Sequence, residues 1–252
     1  MRPLRGSEAA RREILREQTF LDHIGELRGL VTASVLVFLA FAIGYWFVSG
    51  RILDWLVRDL PVDHLIFSAP SEAFMVRTKL SLVLGGLTAF PYIGYRVWRF
   101  VAPGLFRKER RRVMPIVGWS ILLFYGGVVF CYFMVVPVIV NFMLGYATEH
   151  VQPLITVSAY FKTVSSLCLA FGLVFQLPIV MFLLAMVGLV SPRTFLRQWR
   201  YAILIIFIAA AIFTPPDPVS QVLMATPLCV LYIGSALVAL VVLRRRERHE
   251  PE

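Results

Sequence analysis

Apolar residues of this chain fall in six long runs, separated by short stretches rich in glycine, proline and charged residues. In lipid, every backbone polar group must be satisfied within its own segment, so such runs predict helices. Strict alternation of apolar and polar positions, typical of membrane barrels, is absent. We therefore predict an all-α integral membrane protein with six transmembrane helices, at Leu30–Val48, Leu80–Val97, Val113–Leu144, Tyr160–Val190, Tyr201–Phe213 and Val222–Leu243.

The predicted fifth helix is short. From Tyr201 to Thr214 a helix is only about 21 Å long, whereas the hydrocarbon core of a bilayer is about 30 Å thick. We expect the bilayer to thin around this helix, or its flanking residues to reach into the headgroup region. The longest connection, residues 50–72, predicts a short surface helix around Trp55 and Leu56.

Basic residues are distributed very unequally between the two sides of the predicted bundle. Nineteen Lys and Arg residues lie before the first helix or after the second, fourth and sixth, and only Arg51 and Arg58 lie in the loops of the opposite side. Positive residues in short loops mark the cytoplasmic side. The pattern predicts both termini in the cytoplasm, with an N-terminal segment of residues 1–28, a membrane domain of residues 29–243 and a tail of residues 244–252.

Composition agrees with a membrane protein and narrows its function. Apolar residues make up 59% of the chain and charged residues only 16%, against about half and a quarter in soluble proteins. The net charge of +10 is concentrated in loops that orient the protein, so we expect no nucleic-acid partner. It also favours contact with anionic lipid.

Catalytic and metal-binding patterns are missing from the sequence. The cysteines Cys131, Cys168 and Cys229 lie singly inside apolar runs, and the histidines show no ligand spacing. No ionisable residue lies near the centre of a predicted span, which argues against a proton-coupled pump and an intramembrane protease. We expect no enzyme activity, metal or cofactor. A secondary transporter is the alternative, although only Gly172 and Pro178 hint at the broken helices that it needs.

Two acidic residues stand out on the basic side. Glu26, with Arg28, lies where the first helix enters the membrane, and Glu109 is surrounded by cations at positions 107, 108 and 110–112. Each acid also has an ordinary interpretation. Glu26 can be a charged residue at the water-exposed end of a membrane helix, and Glu109 can form a weak surface ion pair with its neighbours. Alternatively, a carboxylate here can accept an arginine from a partner in a bidentate pair.

The remaining polar residues that need an explanation lie in or near the later helices. Gln176 lies in the inner half of the fourth helix, where its amide needs partners. It can join two helices or repair the backbone freed by Pro178. Thr214, Asp217 and Gln221 flank a Pro-Pro turn and can cap the following helix.

Several short motifs, in order and with matching spacing, resemble the TatC family, the multi-spanning receptor subunit of the twin-arginine protein translocase. The resemblance covers the chain from Phe20 to about Leu243. The motifs are Leu21-Asp-His-Ile-Gly-Glu-Leu-Arg28, Tyr95-Arg-Val-Trp-Arg-Phe-Val-Ala-Pro-Gly-Leu105 with Glu109-Arg-Arg111, Phe171-Gly172 with Gln176-Leu-Pro178, Thr214-Pro-Pro-Asp217 with Ser220-Gln221, and Pro227.

The resemblance implies a function in the prokaryotic cell membrane. TatC-like proteins recognise the paired arginines of a signal peptide at the cytoplasmic surface. They act as oligomers and pass folded cargo onward together with TatA- and TatB-like single-span partners. This transport is driven by the proton-motive force. Glu26 and Glu109 would then receive the two guanidinium groups, and Arg28 and Phe100 would support that patch.

The resemblance also assigns the later polar residues. A partner helix would dock at Thr214, Asp217 and Gln221. Many family members carry glutamate where this chain has Gln176, which hydrogen-bonds but cannot ionise. A role that needs a titrating carboxylate there is therefore not expected, and the role of a polar anchor remains.

Overall fold

The computed structural model describes a chain that is helical over most of its length. The described residues are 5–58, 66–105, 113–146, 155–186, 188–214 and 217–249, and within them side-chain surroundings are defined from residue 24 to 100 and from 115 to 241. The described helices are α1 (Arg5–Val57), α2 (Pro70–Leu105), α3 (Val113–Phe130), a π-helical turn (Cys131–Val135), α4 (Val136–Leu144), α5 (Val157–Val174), α6 (Leu177–Met186), α7 (Pro192–Arg197), α8 (Trp199–Phe213) and α9 (Pro218–His249).

Five helical segments of the described chain are long and apolar enough to cross a membrane. They are Ile24–Val57, Pro70–Phe100, Pro115–Leu144, Val157–Met186 and Pro218–Val241. The remaining apolar helix, α8, has 15 residues and is about 22 Å long. The structure thus confirms an all-α membrane protein, and the fifth apolar helix is short as predicted.

Helices α1 and α2 form a tight antiparallel pair. A Cβ atom added to Gly85 would lie 2.7 Å from the backbone nitrogen of Ala42, so the two backbones touch at this crossing. The hydroxyls of Tyr45 and Thr88 are hydrogen-bonded to each other at 2.9 Å. This pair carries the first candidate site at one of its ends.

The main core lies between α3, the π-helical turn, α5, α8 and α9. Glycines allow α3 and α5 to meet, since a Cβ on Gly127 would lie 2.8 Å from the carbonyl oxygen of Phe171, and one on Gly172 would lie 2.8 Å from the ring of Phe124. The centre of this core is completely buried at Leu167, Phe171, Met224 and Leu228.

The third apolar run is interrupted by a wide turn that the hydrophobic pattern does not predict. In the turn from Cys131 to Val135, the amide of Val136 donates to the carbonyl oxygen of Cys131, five residues earlier. Pro137 follows directly. Proline has no amide hydrogen and its ring clashes with the carbonyl four residues earlier, and a wider turn accommodates both defects.

The separate surface helix predicted around Trp55 and Leu56 is wrong. Both residues belong to α1, which continues without a break to Val57. Leu56 packs with its α1 neighbour Leu53 against the start of α2. No proline interrupts this stretch, and these contacts extend the helix past the apolar run.

The fourth apolar run is divided and ends earlier than predicted. Helix α5 ends at Val174 and α6 begins at Leu177, because Pro178 cannot donate a backbone hydrogen bond to the turn before it. Helix α6 ends at Met186, and Gly188 follows with a φ of 78°. This left-handed conformation suits glycine and stops a helix.

Candidate functional site

The first candidate site lies where α1 and α2 meet at the end that holds Glu26. Glu26 and Arg28 are exposed on α1, and Phe100 is half-buried on α2. One terminal nitrogen of Arg96 donates to the carbonyl oxygen of Gly29 at 3.1 Å. This bond joins the two helices close to all three residues.

The bond from Arg96 to Gly29 places the predicted residues on the same side of the contact. Glu26 lies three residues before Gly29 on α1, and Phe100 lies four residues after Arg96 on α2. Because the helices are antiparallel, both residues are about one turn beyond the contact, at the same end of the pair. Glu26 and Phe100 each interact with neighbouring groups there.

Glu109 and its basic neighbours lie outside the described residues. The structure therefore places Glu26, Arg28 and Phe100 at the same end of the α1–α2 pair, and the position of the second acid remains an expectation from the sequence.

Arg96 is a site residue that the sequence analysis missed. Its guanidinium carbon lies 5.9 Å from the centre of the Tyr92 ring, and its Nε is buried without a hydrogen-bond partner among the described residues. An arginine inside an apolar helix, four residues before Phe100, was the available signal. Its guanidinium thus binds a backbone carbonyl of α1, a helix that is distant from Arg96 in the sequence.

Gln176 lies in the turn between α5 and α6 and is bound to α3. Its Nε2 donates to the backbone carbonyl of Ser120 at 3.0 Å, and its Oε1 accepts from the hydroxyl of the same serine. Its backbone carbonyl accepts from the amides of Ile179 and Val180, each at 3.1 Å. The side chain thus joins α3 to this turn, whereas the two bonds to the backbone carbonyl are those of an ordinary helix start, so repair of the backbone by the Gln176 side chain stays a prediction.

The second candidate site joins the end of α8 to the start of α9. The hydroxyl of Thr214 donates to the carbonyl of Ala210 at 2.9 Å. Asp217 caps α9, since its Oδ1 accepts from the amide of Ser220 at 2.7 Å. The capping expected at this turn is confirmed.

Gln221 connects the two helices, and some polar atoms beside it lack partners. Its Nε2 donates to the carbonyl of Phe207 on α8 at 3.0 Å. Asp217 Oδ2 and the hydroxyl of Ser220 are buried without a hydrogen-bond partner among the described residues. Buried polar groups normally have partners, so these atoms can accept a bond from a water or a docking helix.

Glu72, on the end opposite Glu26, also escaped the sequence analysis. Its carboxylate accepts from the amide of Ser68 and, at 3.0 Å, from the amide of Ser158 in the first turn of α5. Next to it, Ile66 and Thr156 form an isolated parallel pairing. Glu72 therefore fastens the α1–α2 pair to α5, and the signal was an acid in the first turn of a helix.

Comparison with known proteins identifies the family. Residues 22–227 match the family model of the Sec-independent protein translocase protein TatC. TatC from Desulforapulum autotrophicum is 40% identical over 92% of this chain and 88% of its own length. TatC from Koribacter versatilis is 37% identical over 95% and 92%. A chloroplastic TATC from Arabidopsis thaliana is 40% identical over 88% of this chain and 66% of its own length.

Solved structures agree with the sequence comparison. Two crystal structures of the twin arginine translocase receptor TatC, one of them in the detergent DDM, have TM-scores of 0.79 and 0.80 with 34% identity. They cover 86% and 87% of this chain, and 99% and 98% of theirs. The chain therefore belongs to the TatC family of Sec-independent protein translocases, and it is a multi-pass membrane protein of protein transport.

Proposed function

We propose that this chain is the receptor and core subunit of a twin-arginine translocase, which binds diarginine signal peptides at the cytoplasmic face. Glu26 and Glu109 accept the two guanidinium groups, and Arg28 and Phe100 support them. The observation that carries the proposal is the bond from Arg96 to Gly29, because it puts Glu26 and Phe100 at one end of a tightly packed helix pair.

A pair of carboxylates suits this ligand for an energetic reason. A single exposed ion pair contributes only about 0.2–1 kcal/mol, which is too little for recognition. Bidentate guanidinium–carboxylate pairs are stronger and geometrically selective, so two of them at a defined spacing distinguish paired arginines from scattered ones. The surrounding cations of this face repel other cationic peptides that lack this match.

The topology of the proposal follows from the charge distribution. The five long spans and α8 together give six crossings, with both termini in the cytoplasm. Arg28, Arg193 and Arg200 are exposed near the ends of apolar segments that the positive-inside tendency assigns to the cytoplasm. The short α8 would then require a thinner bilayer at its own end of the protein.

A partner helix from a TatA- or TatB-like single-span protein docks against α8 in this proposal. Ile205, Ile208 and Ile212 of α8 are exposed large apolar residues, which suit either lipid or an apolar helix. At the turn that follows α8, the partly exposed Asp217 offers a polar contact, and such contacts join helices in membranes. In this proposal the exposed apolar residues of α8 provide the contact area, and the polar contact fixes the position of the partner helix along α8.

Titration of a labelled diarginine signal peptide onto the purified protein in nanodiscs tests the receptor function. Glu26→Gln and Glu109→Gln should each weaken binding by roughly tenfold or more, since losing a hydrogen bond to a charged group costs about 1.5–3 kcal/mol. Asp54→Asn, which removes an exposed acid at the other end of α1, is the matched control. Unchanged affinity in both glutamate variants would overturn the proposal.

A further inference from the structure

A second intramembrane arginine, Arg77, lies at the end of the α1–α2 pair opposite Glu26. Its Nε donates to the hydroxyl of Ser49 on α1 at 3.1 Å. Its guanidinium carbon lies 5.7 Å from the centre of the Trp46 ring. The side chain thus crosses from α2 to α1 within the helix pair.

The guanidinium of Arg77 is held in place by α1. Ser49 is completely buried, and its own hydroxyl donates to the carbonyl of Trp46 at 2.8 Å. Gly50 brings the α1 backbone close, since a Cβ atom there would lie 3.7 Å from a terminal nitrogen of Arg77. Three groups of α1 therefore fix the cation, which lowers the entropy cost of binding an anion.

Arg77 has no acidic partner within the part of the chain that the structure describes. The nearest described acids along the chain are Glu72, whose oxygens accept backbone amides of Ser68 and Ser158, and Asp54, which is exposed without a described bond. A charged group in apolar surroundings is stabilised by an opposite charge. The fixed guanidinium is therefore suited to an external anion.

The exposed surface around this end of the α1–α2 pair is apolar. Phe47 is 78% exposed, Phe74 60% and Met75 53%, although all three are strongly apolar. Ser49 is the first residue after the apolar run that ends at Val48, and tryptophans such as Trp46 concentrate at the membrane interface. The cation thus lies at the boundary between acyl chains and headgroups, where lipid phosphates are found.

We propose that Arg77 and Ser49 form a binding site for the phosphate of an anionic phospholipid. The phosphate pairs with the terminal nitrogens of Arg77, and the acyl chains extend from there toward the membrane centre, along exposed apolar residues of α1 such as Phe47. The apolar flank favours a lipid over a free phosphate ion or a partner's carboxylate. The site is at the opposite end from Glu26 and does not depend on the proposed signal-peptide site.

Native mass spectrometry of the delipidated protein tests this site. The protein is titrated with phosphatidylglycerol and, separately, with phosphatidylcholine, and the bound lipids are counted. We expect a preference for phosphatidylglycerol that Arg77→Gln reduces about fivefold, which corresponds to about 1 kcal/mol. Lys162→Gln removes an exposed cation at the same end and should leave the preference unchanged.

Two further measurements identify the bound anion and test whether the effect of Arg77→Gln is due to misfolding of the variant. Ser49→Ala keeps the charge but removes the hydroxyl that holds Nε, and it should reduce the preference by a smaller factor. Millimolar inorganic phosphate should not displace the lipid. The proposal is overturned if Arg77→Gln and Ser49→Ala both retain the wild-type preference, or if inorganic phosphate competes as well as the lipid does.

Discussion

Ser120 and Gln176 are joined by two hydrogen bonds in opposite directions. The serine hydroxyl donates to the amide oxygen of the glutamine, and the amide nitrogen donates to the serine carbonyl at 3.0 Å. The pair binds α3 to the turn between α5 and α6. A glutamate at position 176 would lack the amide donor of this pair, so the neutral amide suits the partner that this chain supplies.

A double-mutant cycle on this pair should show coupling. Gln176→Leu removes both bonds and Ser120→Ala removes one, so the second substitution should cost less when the first is present. Hydrogen bonds between membrane helices give coupling energies of about 0.6–1.7 kcal/mol. The free energy of unfolding in detergent measures this, with Thr226→Ala on α9 as a control. Strictly additive effects would show that the bonds do not stabilise the bundle.

Neighbouring glycines of α2 should respond differently to the same substitution. A Cβ on Gly85 meets the backbone of Ala42 at 2.7 Å, whereas one on Gly86 meets only the ring of Phe38, at an ordinary 3.6 Å. Gly85→Ala should destabilise the protein by about 1–3 kcal/mol through overpacking. Gly86→Ala should be neutral, or stabilise by up to about 1 kcal/mol because alanine is the better helix former.

Thermal unfolding of the two alanine variants in one detergent checks this prediction. Equal melting temperatures for both variants would contradict the close backbone approach at Gly85.

Arg96 should act as a positioning residue of the proposed peptide site. Removing a positive charge from this face should by itself strengthen the binding of a cationic peptide. If Arg96→Gln nevertheless weakens binding of the diarginine peptide, by about threefold or more (about 0.7 kcal/mol), the cause is the lost bond to Gly29. Arg99→Gln removes an exposed charge on the same helix and should leave binding unchanged or slightly tighter.

Peptide titration separates the loss of the Arg96–Gly29 bond from the loss of a positive charge. The melting temperature of each variant is measured in parallel. Tighter binding by Arg96→Gln than by the wild type would refute a positioning role.

Glu72 should stabilise the end of the bundle that it bridges. Glu72→Ala leaves two backbone amides without an acceptor, and loss of a helix cap costs about 0.5–2 kcal/mol. Hydrogen exchange of the Ser158 amide should become faster, because its bond to the carboxylate at 3.0 Å is lost. Glu72→Gln keeps one acceptor oxygen and should give an intermediate rate, while Asp54→Asn should give the wild-type rate.

Gln221 should matter for the partner helix if α8 is the docking surface. Gln221→Leu removes the bond to the carbonyl of Phe207 and so loosens α8 from α9. Co-purification of single-span partners from native membranes should fall severalfold. Thr226→Val, on the exposed side of α9, is the control, and equal recovery from both variants would argue against docking at this turn.

Local chemistry explains the parts of the fold that could be predicted. The apolar runs became helical, although the fourth was divided at Pro178, the fifth run stayed short, and Asp217 capped α9, because each outcome depends on residues that are neighbours in sequence. The same reasoning failed at Trp55, where packing extends α1, and at the π-helical turn, where the response to Pro137 depends on the surrounding core.

The candidate site was only partly predictable for the same reason. Glu26, Gln176 and Asp217 could be selected as polar residues in unusual places. Their partners could not, since Gln176 and Ser120 are 56 positions apart and no periodicity records which faces of two helices meet.

By itself, the sequence determined the class of protein, the approximate positions of its apolar helices and the polar residues that need an explanation. Apolar burial in lipid and backbone hydrogen bonding act on each segment separately, so both can be read along the chain. Only the tertiary structure decided that Arg96 binds Gly29, that Arg77 binds Ser49 and that Glu72 joins α2 to α5. Each of these pairs forms between segments that approach because their small residues and side-chain shapes fit, and that fit exists only in three dimensions.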